Sequence, residues 1–547
     1  MTSEVVACNY CNQESKRNLF TIKIRQEQIP DKAFACMKCR RTDLSTVIKC
    51  VHCHMNANKN ELDEHRGICR NCVKIKFKNC PCPDTMPCQC IHRNLTYADV
   101  RTTQLSRINV METEVHMDEK MNEHTNERLW NIPKDRELRF EVGASEVILV
   151  ALAGRAECFG TELVLQKEYK FSHTKKAIFT YHDDCQVLVI GKPDIIYLSI
   201  SATASMSSYC NLHAQLNKLR TNAKSAQLYG PRVLLCGPPD SGKSTACRIL
   251  LNYALRTAWW PMFIDLDVSD NTITIPGTIS ATPIVAPFDV VNDLVVKQEL
   301  SFFYGHTSPL TAPEFYLKQC GQLAKLINQR HTKHDTEKYS GCIINTYACL
   351  DNDKKTYAML LDLAKLFDVD LVIVLGDEKL TSQLTFDIAL DPKITLLQLP
   401  KLTGVVTRDR ETKRELRQRA FRNYFYGSKT ADQPLLCCHT QIRKFNDVPC
   451  FRVGHTTTTP ISVLPLDTQP LLNPTRLEVY DFNSADTKQS IVAVSLAPRN
   501  LQMAEEPVSG FALIIEQDNA NQTITLLTPA PELASCTLFL GSLKWTP

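Results

Sequence analysis

Residues 236–245 read CGPPDSGKST, and this stretch decides the class of fold at the centre of the chain. From Gly237 to Ser244 it satisfies the pattern G-x-x-x-x-G-K-[ST], with the apolar run VLL before it and the helical run ACRILLNYAL after it. Glycines in this pattern let the backbone curl so that successive N–H groups face a phosphate at the start of a helix. The sequence therefore predicts a P-loop between a strand and a helix.

Two side chains of the motif add chemistry to the backbone. Lys243 supplies a mobile cation to the β- and γ-phosphates of a nucleotide, and the Ser244 hydroxyl can ligate Mg²⁺. A glycine-rich turn in an unrelated protein is the alternative, but the strand and the helix on either side favour the P-loop.

The sequence beyond the P-loop alternates between apolar strands and helical stretches. Near-continuous apolar strands separated by helices indicate a parallel sheet covered on both faces, which is the α/β class. The predicted helices cover residues 209–228 and 353–367, and the predicted strands cover 262–267, 341–347, 369–376 and 394–400.

The chain of 547 residues is long enough for roughly three or four domains. Short alternating runs predict an N-terminal β-sandwich or barrel over 127–208, followed by the P-loop domain over 209–427. Pro-rich and β-branched runs over 428–547 predict a separate, mostly β domain. Residues 93–126 are polar and charged, which favours a linker.

Composition narrows the class of protein. Hydrophobic residues make up 44% and charged residues 22%, which is typical of globular domains, and a net charge of +4 is too small to indicate nucleic-acid binding over the whole surface. No apolar run approaches the roughly 18 residues of a membrane span, and the N-terminal residues do not resemble a secretory signal. We therefore expect an intracellular protein without a membrane partner.

Cysteine is concentrated at the front of the chain, where twelve of the 24 cysteines precede residue 93. In a reducing compartment this favours metal over disulfides, the alternative. The thiols suit up to about three tetrahedral Zn²⁺ sites, paired sequentially or cross-braced, so residues 1–92 are predicted to form a zinc module. His52, His54, His65 or His92 can replace a thiol. The paired thiols are Cys8 and Cys11, Cys36 and Cys39, Cys50 and Cys53, Cys69 and Cys72, Cys80 and Cys82, and Cys88 and Cys90.

Two carboxylates end the first strand after the P-loop, in FIDLDVSD (263–270). Side chains two residues apart share one face of a strand, so Asp265 and Asp267 can both point toward the cleft, although only one need be functional. A carboxylate there can hold Mg²⁺ or accept a proton from an attacking hydroxyl. Capping of the next turn is the alternative interpretation.

Residues 407–427 form a predicted helix with a strong excess of positive charge. Such a helix can close over phosphate as a lid or present a solvated face, and the residues alone leave both readings open. Its basic residues are Arg408, Arg410, Lys413, Arg414, Arg417, Arg419 and Arg422.

Several of these stretches together resemble the Clp1 family, over residues 127–547. They are RELRFEV (136–142), AECFGTEL (156–163), the P-loop, YGHTSP (304–309), GCIINT (341–346) and YFYG (424–427). The resemblance implies a nuclear polynucleotide 5′-hydroxyl kinase that uses ATP and Mg²⁺ to phosphorylate RNA with a 5′-hydroxyl end. It also implies partnership with other subunits of the pre-mRNA 3′-end cleavage factor and, in animals, with the tRNA-splicing endonuclease.

The resemblance implies roles for individual residues. Asp267 would activate the acceptor hydroxyl, and Lys243 would act on the transferred phosphate. Thr307 and Ser308 would grip the RNA phosphate. Arg417 and Arg422 would be lid arginines, which favours the lid over the solvated face. The nucleotide-binding residues implied are Glu137, Lys175, Gly237, Asp240, Ser241, Gly242, Lys243, Ser244 and Thr245.

The chain departs from the family pattern at two positions. The family's Asp-Val-Gly-Gln ends in Asp270 here, which predicts extra negative charge near the phosphates and Mg²⁺. The aromatic residue that stacks on an RNA base in the family is Cys349, and loss of such a platform removes about 1–3 kcal/mol of binding. Tyr347, two residues away, is the available substitute.

Two hypotheses follow from this balance of features. The first is an RNA 5′-hydroxyl kinase, which the intact Lys243, Asp267 and lid arginines favour. The second is an ATP-bound scaffold of the 3′-end processing machinery without transfer activity, which Asp270 and Cys349 favour.

Overall fold

The computed structural model describes most of the chain from residue 126 onward, together with six short strands before residue 70. Beyond residue 126 the description omits residues 200–202, 295, 297, 350–353, 389–392, 403, 428–437, 455–476, 484–486, 496–504, 532 and 534–535. The chain divides into two compact units, Met1–Glu119 and Lys120–Pro547.

The described residues of the first unit form three antiparallel strand pairs. Their strands are β1 (Val5–Ala7) with β2 (Glu14–Lys16), β3 (Val47–Lys49) with β4 (Asn56–Asn58), and β5 (Leu62–Asp63) with β6 (Ile68–Cys69). Residues 93–125 of the predicted linker lie outside the described residues.

A β-sandwich follows, as the alternating runs predict. In the strand Glu168–Phe171, for example, Tyr169 and Phe171 are buried while Glu168 and Lys170 are exposed, so that one face of the strand enters the core. The five-stranded sheet has the order β11-β10-β13-β8-β15 and the four-stranded sheet the order β12-β9-β14-β7. The strands are β7 (Glu127–Ile132), β8 (Glu137–Val142), β9 (Val147–Ala153), β10 (Glu157–Cys158), β11 (Thr161–Glu162), β12 (Glu168–Phe171), β13 (Thr174–Phe179), β14 (Cys185–Ile190) and β15 (Ile195–Ser199).

The P-loop domain is built on a seven-stranded sheet with the order β19-β18-β17-β20-β16-β21-β22. Its strands are β16 (Arg232–Cys236), β17 (Met262–Asp265), β18 (Thr278–Pro283), β19 (Leu300–Phe303), β20 (Cys342–Asn345), β21 (Leu371–Leu375) and β22 (Thr395–Leu399). The helices are α1 (Thr203–Ala226), α2 (Lys243–Arg256), α3 (Pro313–His331), α4 (Asp335–Ser340), α5 (Lys354–Leu366), α6 (Glu378–Ile388) and α7 (Arg410–Tyr426). None of these described helices is both long and apolar enough to cross a membrane.

Both faces of this sheet are buried. Along β16, Val233 and Leu235 enter one hydrophobic cluster, while Leu234 and Cys236 enter a second cluster on the other face. This is why the strand reads as a continuous apolar run rather than an alternating one.

The prediction of a parallel sheet is correct for five neighbouring strands, β17, β20, β16, β21 and β22, and wrong at one edge of the sheet. There, β18 runs antiparallel to β17, and β19 runs antiparallel to β18. The sequence of β18, TISATP, is rich in hydroxyl-bearing residues and has no apolar run, so it gave no strand signal.

The C-terminal region forms a seven-stranded sheet, which confirms the predicted β-rich domain. Its order is β23-β28-β27-β26-β29-β24-β25, with only β24 and β29 parallel among these neighbours. A short 3₁₀-helix, Phe445–Asp447, follows the first strand. The strands are β23 (His439–Lys444), β24 (Cys450–Arg452), β25 (Glu478–Tyr480), β26 (Ser490–Ser495), β27 (Gly510–Asp518), β28 (Thr523–Thr528) and β29 (Thr537–Lys544).

The C-terminal sheet packs against the P-loop domain and holds the end of α7. Phe421 and Phe425 of α7 are buried, and the Phe425 ring stacks on Trp545 with centroids 5.1 Å apart. The Tyr424 hydroxyl accepts a hydrogen bond from the Phe511 backbone N–H at 3.0 Å. One end of the basic helix is therefore anchored in a hydrophobic core.

Candidate active site

The P-loop connects β16 to α2 in a conformation that requires its glycines. Gly237 has φ of 147° and Gly242 has φ of 95°, both in the region that L-residues avoid. A Cβ at residue 237 would lie 2.7 Å from the Leu375 carbonyl oxygen, and one at residue 242 would lie 2.6 Å from the Leu402 Cβ. The surrounding backbone thus closes around the loop and leaves no room for side chains at these two positions.

Lys243 lies at the first residue of α2 and is buried, with 7% of its surface exposed. Its ammonium donates to the carbonyl oxygens of Gly237 and Pro238, at 3.2 and 2.9 Å. Burial lowers the pKa of this ammonium, and the nearby charge of Asp267 opposes that shift. The lysine is thus held over the loop, where it can pair with an anion.

Several polar atoms at the P-loop suit a bound nucleotide. The buried Ser241 hydroxyl and the Asn345 side-chain oxygen have no hydrogen-bond partner among the described residues. Ser244, in the first turn of α2, presents its hydroxyl near the Asn345 amide, at 3.4 Å, and Thr245 follows it partly exposed. Buried polar atoms normally have partners, so this cluster fits a polyphosphate and its magnesium ion.

The structure places Asp265 and Asp267 in different environments. Asp265 is fully buried at the end of β17, and its carboxylate accepts from the Thr272 N–H and hydroxyl at 2.8 and 2.6 Å and from the Asn345 amide at 2.9 Å. Asp267 lies partly exposed beyond the strand and accepts from the Ser269 N–H and hydroxyl at 2.9 and 2.6 Å. Asp265 therefore braces the site, while Asp267 can reach a substrate.

Both carboxyl groups have raised pKa values. Burial and the neighbouring charge of Asp267 raise the pKa of Asp265 to about 7, although hydrogen bonds from Thr272 and Asn345 act in the opposite direction. Burial also raises the pKa of Asp267, and the charge of Asp270 adds to this, while Ser269 and Lys243 oppose it. A raised pKa makes the Asp267 carboxylate a better proton acceptor.

The loop that contains Thr307 and Ser308 begins beside the loop that carries Asp267. Gly277 donates its N–H to the Val268 carbonyl at 2.8 Å and accepts at its own carbonyl from the Gly305 N–H, also at 2.8 Å. Thr307 and Ser308 are exposed. Two backbone hydrogen bonds therefore connect the start of this loop, at Gly305, to Val268, the residue after Asp267.

The same loop also contacts the C-terminal sheet, which sequence reasoning did not anticipate. The His306 ring and the Ser542 hydroxyl lie 2.8 Å apart, and the Ser542 N–H donates to the Gly305 carbonyl at 2.8 Å. Gly541 packs so closely on Gly305 that a Cβ at residue 541 would lie 2.1 Å from that carbonyl oxygen. The glycine pair is the feature of the sequence that marks this close approach.

Arg417 and Arg422, which the resemblance implies to be lid arginines, lie on α7. Arg417 is partly buried and Arg422 is exposed, and within the described part of the chain neither makes a hydrogen bond or an ion pair. Both guanidinium groups are thus available to an anion, while Arg419 of the same helix donates to the His173 carbonyl at 2.5 Å.

Glu137 and Lys175 lie on neighbouring strands of the sandwich but apart from each other. Glu137 is opposite Phe179 and Lys175 is opposite Glu141, a separation of about 13 Å along the strands at the usual rise per residue. Buried Glu137 pairs with Arg139 at 2.6 Å, and exposed Lys175 pairs with Glu141 at 2.7 Å. Only Glu137 is therefore connected to the loop over the P-loop, through Arg139.

Arg139 is a residue that sequence reasoning missed. Its guanidinium abuts Gly404, where a Cβ would lie 2.7 Å from Arg139 Nε, and Leu402 of the same loop covers Gly242. The Leu402 N–H donates to the Ser241 carbonyl at 3.3 Å. The loop between β22 and α7 thus connects the sandwich to the P-loop.

Comparison with known proteins identifies the family. The models described as "mRNA cleavage and polyadenylation factor CLP1 P-loop", "N-terminal beta-sandwich domain of polyadenylation factor" and "Pre-mRNA cleavage complex II protein Clp1" match residues 237–427, 131–223 and 436–547. A polyribonucleotide 5′-hydroxyl-kinase Clp1 from Bos taurus is 36% identical over 405 residues, which are 74% of this chain and 92% of that protein. The chain belongs to the Clp1 family.

Other Clp1 proteins agree with this assignment. A CLP1 homolog from Aedes aegypti is 37% identical over 417 residues, which are 76% of this chain and 96% of that protein. A solved structure of a wild-type Clp1p–Pcf11p complex has a TM-score of 0.68 and 25% identity, and covers 77% of this chain and 98% of its counterpart. The predicted fold, a P-loop domain between a β-sandwich and a β-rich domain, is confirmed.

The extra negative charge that Asp270 was expected to bring to the site is paired in the structure. Its carboxylate is not an unpaired charge, because Arg408 Nη1 lies 2.8 Å from Asp270 Oδ2. The sequence shows the extra carboxylate but not its partner, which is 138 residues away along the chain.

Tyr347 does not replace the aromatic side chain that is expected where Cys349 stands. The Tyr347 ring is 3% exposed and packs against Tyr316, with its hydroxyl donating to the Thr356 carbonyl at 2.7 Å. Cys349 is itself buried, with its N–H donating to the Gly237 carbonyl at 3.1 Å. The expectation that Tyr347 could stack on an RNA base is therefore wrong.

The predicted zinc sites cannot be located among the described residues. Eleven of the twelve N-terminal cysteines lie outside them, and Cys69 is described only as the last residue of β6. Within the described side chains no cluster of three or more histidine, cysteine, aspartate or glutamate residues suits a metal ion. The zinc module of residues 1–92 stays a prediction.

Proposed function

We propose that this Clp1 protein is an RNA 5′-hydroxyl kinase that uses ATP and works as a subunit of the nuclear pre-mRNA 3′-end cleavage factor. The observation that carries the proposal is that the end of β17, with Asp267 just beyond it, adjoins the start of α2, with Lys243. The Asn345 amide donates to Asp265 at 2.9 Å and lies 3.4 Å from the Ser244 hydroxyl, and the charges of Lys243 and Asp267 each shift the pKa of the other. A donor phosphate at Lys243 would thus lie beside a group that can take the acceptor's proton.

The residues suggest one chemical step. The RNA 5′-oxygen forms a bond to the γ-phosphorus of ATP, the bond from that phosphorus to the oxygen bridging to ADP breaks, and the hydroxyl proton passes to the Asp267 carboxylate. Lys243 stabilises charge on the β- and γ-phosphates, and Arg417 and Arg422 approach the γ-phosphate from α7. Thr307 and Ser308 hold the first RNA phosphate.

The remaining P-loop residues bind the nucleotide. The Gly237 to Gly242 backbone and the Ser241 hydroxyl surround the phosphates, while Glu137 and Lys175 act on the nucleoside side. A magnesium ion held at Ser244 would neutralise charge on the phosphates during transfer. Thr245 supports the same end of α2.

The kinase assay that tests this proposal uses the full-length protein, γ-labelled ATP and a 5′-hydroxyl oligoribonucleotide, with a 5′-phosphorylated oligoribonucleotide as the substrate control. We expect labelled RNA from the wild type and at least about 100-fold less from Lys243→Ala, because one strong contact to the transferring charge is lost. The matched variant Lys218→Ala, at an exposed position of α1, should behave as wild type.

The second candidate function is a scaffold that binds ATP without transferring its phosphate, and the buried Cys349 favours it, since no base-stacking side chain stands at that position. ATP binding without any labelled RNA would establish this second function and exclude the first. The relatives' names and the Clp1p–Pcf11p complex support membership of a cleavage factor, and association with the tRNA-splicing endonuclease belongs to the same proposal.

A further inference from the structure

Arg408 makes an unusual set of contacts at the centre of the site. Its Nε and its backbone N–H donate to the two carboxylate oxygens of Asp240 at 2.8 and 3.1 Å, and its Nη1 donates to Asp270 at 2.8 Å. Charge-assisted hydrogen bonds of this kind have a fixed geometry, because the guanidinium is planar. One side chain therefore holds two carboxylates at a defined separation.

The two carboxylates belong to opposite sides of the proposed reaction. Asp240 is part of the P-loop, with φ of 52°, so it stands at the donor side. Asp270 closes the turn 267–270, in which its N–H donates to the Asp267 carbonyl at 3.4 Å. Arg408 itself lies two residues before α7, so it joins the P-loop, the turn that carries Asp267 and the base of the lid.

The charge balance at this point depends on Arg408. Burial acts to raise the pKa of Asp240, but the hydrogen bonds and charge of Arg408 outweigh it and lower that pKa. Lys413 also lies within reach of Asp240, at 3.5 Å. Without Arg408, Asp270 would lose the guanidinium that pairs with it, and Asp240 would keep the longer contact to Lys413.

We propose that Arg408 is a positioning residue that cancels the charge of Asp270 and fixes the turn of Asp267 against the P-loop. This inference rests on the proposed function and deepens it. Asp270 thereby becomes compatible with a nucleotide site. Arg408 acts through the two aspartates and does not itself touch the reacting atoms.

The test is a double-mutant cycle with Arg408→Gln, Asp270→Gln and the double variant, measured first as ATP affinity by calorimetry. Arg408→Gln should weaken ATP binding about tenfold, because it leaves two carboxylates without their partner. Asp270→Gln alone should change the affinity less than about threefold, and in its presence Arg408→Gln should cost clearly less than in the wild type. Arg410→Gln, two residues away and exposed, is the matched control.

A second measurement separates positioning from mere stability. In the RNA kinase assay, Arg408→Lys keeps one positive charge but cannot contact both aspartates, so kcat should fall more than ATP affinity does, with an unchanged melting temperature. An equal loss of ATP affinity from Arg408→Gln in both backgrounds, or no loss in either, would overturn the proposal. If Arg408→Gln does not fold, Arg408→Met, a neutral side chain of similar length, replaces it in the same cycle with the same criteria.

The ATP measurements also keep this inference separate from the kinase proposal. A protein that binds ATP without phosphorylating RNA would still show the coupling between Arg408 and Asp270. Failure of transfer with the coupling intact would refute the kinase function alone, and intact transfer without coupling would refute the role of Arg408 alone.

Discussion

The donor side of the candidate site is one continuous stretch, residues 236–245, whereas the acceptor side combines the turn 267–270, the loop 304–309 and the residues after β20. The donor side follows its motif at every position. Asp270 and Cys349, the two positions at which the resemblance implies a departure from the Clp1 pattern, both fall on the acceptor side. A phosphate cradle depends on backbone geometry within one loop, while an acceptor site depends on contacts between distant segments, so it can vary without loss of the fold.

Removal of the proton acceptor is the strongest test of whether the donor and acceptor sides are separable. Asp267→Asn keeps the shape of the side chain but cannot take a proton, so transfer to RNA should fall by about 10²–10⁴-fold while ATP affinity stays within a few fold. Single-turnover phosphorylation and ATP calorimetry measure the two effects. Asp362→Asn, at an exposed position of α5, is the control, and a parallel loss of ATP binding would show that the two sides are not separable.

The lid arginines should act on both sides and have the next largest effect. Arg417→Gln and Arg422→Gln should each lower kcat by about 100-fold, because each removes one charge from the transferring phosphate. Arg414 is exposed on the same helix, and Arg414→Gln serves as the reference variant. If all three variants keep the wild-type rate, α7 is a solvated face rather than a lid.

A pH dependence of stability tests the bracing role of Asp265. Its pKa is raised by burial to about 7 in the folded protein, against about 3.9 in an unfolded chain. The folded state therefore holds this proton more tightly, so its contribution to stability is complete below about pH 4 and is lost as the pH rises through about 7. The melting temperature of the wild type should fall more between pH 5 and pH 8 than that of Asp265→Asn.

The comparison is specific because the other titrating groups are the same in both proteins. Asn345 can present its unpaired side-chain oxygen to the new amide, so Asp265→Asn has a hydrogen-bonding solution. Parallel melting curves for the two proteins across this pH range would contradict the raised pKa.

The smallest expected effect concerns the RNA base. With Cys349 and Tyr347 both buried, the first base finds no stacking platform at this position. Removing the 5′-terminal base from the oligoribonucleotide should therefore change its KM by less than about threefold, whereas a stacked base contributes about 1–3 kcal/mol. A loss of tenfold or more would reveal a platform elsewhere on the acceptor side.

The sequence predicts the parts of the fold that follow from local periodicity. The buried strands β16 and β21 are continuous apolar runs, and α5 begins and ends within one residue of its predicted limits. The antiparallel edge was missed because β18 is held by hydroxyl-rich side chains and not by an apolar pattern. Thr278, for example, bonds its hydroxyl to the Ile275 carbonyl at 2.6 Å.

The candidate site was predictable where a motif names the residue. Lys243 follows from the P-loop motif, whereas the residues alone left both Asp265 and Asp267 open, and the resemblance to the Clp1 family implied Asp267. Arg408 was visible only as one of many basic residues, since nothing local shows that its side chain reaches Asp240 and Asp270. Contacts between segments more than a hundred residues apart require the fold, and they are what the sequence alone does not supply.

The stacking of Phe425 on Trp545 fixes one end of α7 to the C-terminal sheet, so a small rotation there moves the rest of the helix. Arg417 lies eight residues, or about 12 Å, from Phe425 along the helix, so a rotation of about 5° at the Phe425 end moves the Arg417 backbone by about 1 Å. That displacement is comparable to the difference between a hydrogen bond and no contact. A partner that tilts the C-terminal sheet slightly would therefore change the reach of Arg417 toward a phosphate without touching the P-loop.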